Sequence, residues 1–187
     1  MYSITNDNIL KIFGIEYKFL DMTTYAINVL MECAEYDWNN EIRKRRIYKN
    51  YYTENELVNI LKQVTKGLLY LQSKNIAHRD IKPQNILVFP NSIYKIADLG
   101  EAKTIKNISD QSTLRGSQLY MSPALYQGHK FNKSNIMHNP YKSDMFSLGY
   151  CFLYGVCLDI KILENVRELN TINSIEIAVN KFNLKNR

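Results

Sequence analysis

Apolar and polar residues change their spacing several times along the chain, and each change predicts an element. Ile9-Leu10-Lys11-Ile12-Phe13 and Tyr25-Ala26-Ile27-Asn28-Val29-Leu30-Met31 are short runs rich in β-branched and aromatic residues, which suit strands. The stretch Leu20 to Thr24 turns the chain between them. Glu32 to Asn40 reads as a connector, and Glu41-Ile42-Arg43-Lys44-Arg45-Arg46 as a short helix with a wet, basic face. After Thr53 the spacing lengthens to a helical period, with Leu57, Ile60, Leu61, Val64, Leu68 and Leu71 on one stripe. Thr53 and Glu56 have the spacing of a capping box, in which each side chain satisfies a free backbone N–H. Gly67 weakens such a helix without breaking it.

Further on, Ile86-Leu87-Val88-Phe89 and Ile93-Tyr94-Lys95-Ile96-Ala97 flank Pro90-Asn91-Ser92 and predict a β-hairpin. Lys103 to Gly116 is polar, with no apolar period, and predicts a long loop. Tyr141 to Leu158 is strongly apolar and predicts a buried helix with Ser143 as its cap. The remainder, Asp159 to Arg187, has helical patches, such as Ile160, Leu163, Val166 and Leu169.

Composition narrows the class without choosing a function. The chain has 187 residues, 45% of them hydrophobic and 22% charged, enough for a real core in one domain. A net charge of +6 suits phosphate-bearing or acidic partners, and equally a plain solvated surface. The basic run at Arg43 to Arg46 reads as a helix face in preference to a nucleic-acid patch, so no nucleic acid is expected. Cys33, Cys151 and Cys157 are odd in number and lack framework spacing, which argues against a disulfide scaffold. His129 and His138 lie in polar sequence without cysteine partners and read as surface residues. The first residues carry no signal-peptide pattern, and the longest apolar stretch, near Phe152 to Leu158, is too short for a membrane span. The expected location is intracellular, in the cytoplasm or the nucleus.

The hairpin carries the chemistry. Asn85 immediately precedes its first strand and Asp98 follows its second, so antiparallel pairing puts the two side chains side by side at the open end. An amide oxygen beside a carboxylate is a hard-oxygen site that suits Mg²⁺, which takes few protein ligands and completes its shell with water and phosphate. Asp80 approaches the same end and can take a proton from an attacking hydroxyl. Lys82 can neutralise charge on a moving phosphoryl group. Phosphoryl transfer with magnesium is the reading these residues give.

His78-Arg79-Asp80 with Asn85 resembles the protein-kinase catalytic loop H-R-D-L-x-x-x-N, with Ile81 in the leucine place. Asp98-Leu99-Gly100 resembles the metal-binding D-F-G motif, with leucine for phenylalanine. Gly116 to Pro123 is similar to the end of a kinase activation segment. There Ser122-Pro123-Ala124 stands for A-P-E, and Ala124 replaces the glutamate that usually anchors the segment to a late arginine. Ser143 to Gly149 resembles the helix whose aspartate, here Asp144, holds the catalytic-loop backbone, with His78 and Arg79 as further structural support. Upstream, Leu30-Met31-Glu32-Cys33-Ala34 resembles the kinase hinge.

The resemblance implies a kinase-like α+β fold. Residues 1–31 would be a remnant of the small lobe, 32–40 the hinge, and 41–187 a mostly helical, C-terminally incomplete large lobe. It implies ATP and Mg²⁺ as cofactors and a protein as substrate. Met31 would guard the adenine pocket, the backbone of Glu32 and Ala34 would bond adenine, and Leu87 would pack beneath it. Lys82 after His-Arg-Asp is the serine/threonine pattern, and Ser112 and Thr113 lie where activating phosphorylation would fall. No G-x-G-x-x-G occurs, and Lys11 and Lys18 are outside the context of the small-lobe lysine. The expectation is a partial serine/threonine kinase domain of little or no activity by itself. The alternative is a non-catalytic, kinase-like interaction module.

Overall fold

The structure is a computed structural model, and it describes residues 4–107 and 112–169. Strands β1 (Ile12–Phe19) and β2 (Tyr25–Met31) form an antiparallel hairpin. Asp21 closes its turn: one carboxylate oxygen accepts from the N–H groups of Thr23 and Thr24 and from the Thr23 hydroxyl. The first strand starts three residues later than its apolar run and continues to Phe19. Asn8 and Leu10 exchange backbone hydrogen bonds with Ile96, so residues 8–10 are committed elsewhere and cannot pair with β2.

Past β2 the chain was expected to be a plain connector. Instead Tyr36–Asp37 form a short strand, β3, on the edge of a three-stranded sheet ordered β3, β5 (Ile86–Phe89), β6 (Ile93–Ile96). The predicted hairpin is β5 and β6, turning through Pro90–Ser92. Asn91 and Ser92 both take positive φ in that turn.

Helix α1 (Trp38–Ile47) starts earlier than its charged stretch, because Asp37 caps it by accepting from the Asn40 N–H at 2.8 Å. Its basic residues are partly used inside the molecule. Arg45 pairs with Glu41 and Glu56, and Arg46 with Asp159.

Helix α2 (Glu54–Ser73) has both bonds of the capping box between Thr53 and Glu56. Leu57, Ile60, Val64, Leu68 and Leu71 are buried and Leu61 partly so. At about 1.5–3 kcal/mol per buried aliphatic side chain, that stripe far outweighs the ~1 kcal/mol that Gly67 costs the helix. Gly67 has its own reason: a Cβ there would sit 2.8 Å from the Asn8 carbonyl oxygen and 2.8 Å from Ile96.

Beyond α2, the pair β4 (Ile76–Ala77) and β7 (Lys103–Thr104) brackets the candidate site. The polar stretch after β6 is less irregular than expected, for it includes β7 and also β8 (Ser112–Thr113), which pairs with β9 (Asn135–Ile136). Helix α3 (Pro123–Lys130) carries His129. Helix α4 (Pro140–Cys157) is the predicted buried helix, but Asn139 caps it, its side chain accepting from the Lys142 N–H. Proline at the first helical position fixes that start one turn ahead of Ser143. Helix α5 (Ile160–Leu169) follows, and the expected helical patches beyond it lie outside the described residues.

The main core lies between α2, α4, α5 and the β5–β6 hairpin, with Trp38 wedged against α4. Trp38 is 1% exposed and donates its indole N–H to the Tyr52 hydroxyl at 3.0 Å. Cys151 and Cys157 are buried and Cys33 exposed, and all three are free. No helix of the described residues is long and apolar enough to cross a membrane.

Candidate active site

The site gathers where the loop after β4 meets the open end of the β5–β6 hairpin. Asp144 on α4 is 4% exposed and anchors that loop. Its two carboxylate oxygens accept from the backbone N–H groups of His78 and Arg79, each at 2.8 Å. Arg79 has φ +72°, a left-handed conformation that a bulky residue adopts only when its surroundings enforce it. Asp144 supplies part of that enforcement. His78 is fully buried and ties the loop to the hairpin. Its Nδ1 accepts from the Asp80 N–H, so Nε2 carries a proton and donates to the Ala97 carbonyl at 2.9 Å.

Asp80 is held on both oxygens. One accepts from the N–H and the hydroxyl of Ser117 at 2.9 and 3.0 Å. The other accepts from Lys82 Nζ at 2.6 Å and Asn85 Nδ2 at 3.1 Å. Burial alone would raise the Asp80 carboxyl, but the Lys82 ammonium and the Ser117 donors outweigh it and hold the group below the usual carboxylate range. Asp80 is therefore ionised at neutral pH, the form a proton acceptor requires. Lys82 also donates to the Ser117 hydroxyl at 3.1 Å, which closes a three-residue ring.

Ser117 belongs to a motif already legible in sequence, but the sequence did not reveal that it touches Asp80. Gly116 makes the approach possible. It has φ +102°, and a Cβ there would come within 2.6 Å of the Arg79 carbonyl oxygen.

Asn85 donates its amide to the Asp80 carbonyl and carboxylate. Its side-chain oxygen accepts no hydrogen bond from the described residues. The Ala97 N–H donates to the Asn85 carbonyl, which continues the hairpin ladder and sets Asn85 opposite the residue before Asp98. Asp98 is exposed and left-handed (φ 60°), with one carboxylate oxygen accepting from the Gly100 N–H. An amide oxygen and an exposed carboxylate at the open end of one hairpin are hard donors of the kind suited to a magnesium ion that keeps several water or phosphate ligands.

Of the four residues expected around adenine, only Leu87 is on the β5–β6 hairpin. Met31 ends β2, and Glu32 and Ala34 lie on the connection that runs along β5 to β3. Leu87 pairs in register with Asp37. The Glu32 carboxylate receives Lys95 Nζ at 2.7 and 2.9 Å. Burial would raise that carboxyl, and Lys95 together with the Lys11 N–H keeps it low. Ser112 and Thr113 contribute their backbone to β8. Beside Asp80 lies a cavity of about 420 Å³ whose lining includes Glu101, Arg115, Ser117, Gln118 and His129.

Neither histidine expected on the surface is an idle surface group. His129 lies on α3 with Nε2 2.6 Å from the Gln118 amide nitrogen. His138 is half-buried, and its Nδ1 meets the Ser143 hydroxyl, which in turn meets the Ser122 hydroxyl, each at 2.9 Å. Burial, with Arg79 nearby, pushes the His138 ring below the ordinary histidine value.

A family model for the protein kinase domain matches residues 1–186. This chain belongs to the protein kinase family. Three of its relatives bear serine/threonine kinase names. The chain is 40% identical over 134 residues to the probable serine/threonine-protein kinase nek3 of Dictyostelium discoideum, covering 69% of this chain and 11% of that protein. It is 36% identical over 120 residues to the serine/threonine-protein kinase Nek4 of Mus musculus, covering 64% and 14%. It is 35% identical over 150 residues to the serine/threonine-protein kinase atg1 of Dictyostelium discoideum, covering 78% and 20%. The chain thus spans a fifth or less of the length of these relatives.

Proposed function

We propose that these residues perform the large-lobe half of ATP-dependent phosphoryl transfer to serine or threonine hydroxyls of protein substrates. The observation that carries this reading is the double clamp on Asp80. Ser117 on one oxygen and Lys82 with Asn85 on the other leave the carboxylate ionised and fixed in direction. A substrate hydroxyl entering from the neighbouring cavity would give its proton to Asp80 as its oxygen bonds the terminal phosphorus of ATP, while the bond from that phosphorus to the bridging oxygen breaks and ADP leaves. Lys82 would balance charge on the transferred group. Proximity and orientation supply most of the rate in such a reaction, because the chemistry needs little covalent participation from the protein.

Asn85 and Asp98 would hold magnesium, which would neutralise phosphate charge when bound. His78, Arg79 and Asp144 would act by shaping the loop. Adenine would lie against Met31, Leu87 and the backbone of Glu32 and Ala34. On this reading residues 1–31 serve as small lobe, 32–40 as hinge and 41–187 as large lobe, and phosphorylation would fall on Ser112 or Thr113. The 187 residues contain no G-x-G-x-x-G loop to cover the phosphates, so the chain by itself is expected to turn over weakly or not at all.

The test is magnesium- and ATP-dependent phosphorylation of serine- and threonine-containing peptides by the natural protein, beside its Asp80→Asn variant. The expected result is transfer in the first, and loss of transfer with retained ATP binding in the second. ATP binding without transfer in the unaltered protein would favour a non-catalytic interaction module. Equal transfer by both would remove Asp80 from its role.

A further inference from the structure

We propose that Arg167 is a positioning residue, clamping the segment 117–121 from beneath with backbone carbonyls and aromatic rings where a carboxylate partner is missing. Arg167 lies on α5 and is 4% exposed. A long cationic side chain on a surface helix ordinarily reaches outward to water. This one points inward. Its Nη2 donates to the carbonyl of Gln118 at 3.0 Å and to the carbonyl of Met121. The guanidinium carbon lies 4.3 Å from the ring centre of Tyr126, 5.0 Å from that of Tyr150 and 5.8 Å from that of Phe146.

Among the described residues no carboxylate pairs with Arg167, and its Nε is buried without an acceptor. Ala124, at the position where the resemblance calls for a carboxylate, has none to offer. An uncompensated buried guanidinium is costly. Three ring faces and two carbonyls offset that cost, because ring faces and carbonyl oxygens both present negative potential to a cation.

What the clamp holds gives it consequence. Gln118 and Met121 bracket the turn Gln118–Tyr120. The Tyr120 carbonyl accepts from the Ser147 hydroxyl at 2.7 Å. The residue just before the turn is Ser117, which bonds Asp80. Arg167 therefore fixes one end of a short relay that runs through the turn to Ser117 and Asp80. Gln118 and Met121 also line the cavity beside Asp80, so the same clamp shapes the surface that would meet a substrate.

The catalytic half of this inference rests on the proposed kinase chemistry, while the structural half does not. The experiment is amide hydrogen exchange on the protein with Arg167→Met, which keeps bulk and loses charge, and Arg167→Lys, which keeps charge and loses the fork. The methionine variant should speed exchange at Ser117 to Met121 by about tenfold or more, the lysine variant less, with amides of Leu61 to Leu68 in α2 unchanged. In steady-state kinetics the methionine variant should raise the peptide KM by roughly tenfold and leave the ATP KM alone. Unchanged exchange, an equal rise in α2, or failure of both variants to fold would overturn the clamp. Absence of transfer in the unaltered protein would overturn the kinase chemistry, and the exchange pattern would still decide the clamp.

Discussion

Replacing Asp144 with asparagine tests how the catalytic loop is held. The carboxylate, itself buried, accepts two backbone N–H groups at 2.8 Å. Asparagine keeps one oxygen and turns the other position into a donor that faces an N–H. One charge-assisted bond, worth about 1.5–3 kcal/mol, is lost, and a buried N–H is orphaned at a further cost of about 1–3 kcal/mol. The loop recovers part of this by letting Arg79 leave its left-handed conformation, which releases about 1–2 kcal/mol. The net loss is therefore about 2 kcal/mol, or a fall in Tm of roughly 4–8 °C for a domain of this size. Urea titration reads it as a lower midpoint at unchanged slope. A loss below about 0.5 kcal/mol would refute the reasoning, because it would mean that other groups or water hold those two N–H groups.

Three further outcomes follow from the same geometry. Gly67→Ala should destabilise by about 1 kcal/mol in urea titration: helix propensity favours alanine by about that amount, but the new methyl meets the fixed Asn8 carbonyl and Ile96. Ser117→Ala should lower kcat about tenfold in peptide phosphorylation with ATP affinity unchanged, since it removes the hydroxyl between Asp80 and Lys82 and leaves the N–H in place. Glu56→Gln should flatten the acid limb of the stability curve. Burial raises the Glu56 carboxyl, but the Thr53 N–H and Arg45 bring it below its ordinary value. A depressed carboxyl stabilises fully above its unfolded value of about 4.3 and loses that contribution as pH falls through the folded value. Thermal unfolding of both proteins across acidic pH checks this, with the gap between them closing at the acid end.

The elements easiest to read in sequence were those fixed by local rules. The capping box at Thr53 and Glu56 and the β5–β6 turn depend on neighbours within four residues, and both stand as expected. The placement of Asn85 beside the end of β6 followed from hairpin register alone. What escaped was set by distant partners. Ile9 has the right residues for a strand with β2, yet its neighbours are used by Ile96, far along the chain. Ser117 reaches Asp80 across the polar stretch, and no periodicity signals that contact. Arg167 looks like an ordinary surface cation on α5 until Tyr126, Phe146 and Tyr150 converge around it. The cap of α4 is a local signal as well: Asn139 before Pro140 is a stronger start than Ser143, whose hydroxyl instead links His138 and Ser122.

The most direct test of the account is the magnesium dependence of ATP binding to the protein, measured calorimetrically for the natural sequence and for Asp98→Asn. Asp98 and Asn85 are the proposed magnesium ligands at the hairpin's open end, and the substitution keeps the shape of Asp98 while removing its charge. The account predicts that magnesium strengthens ATP binding to the natural protein and that Asp98→Asn abolishes that strengthening with the fold intact. Equal magnesium dependence in both proteins would contradict it.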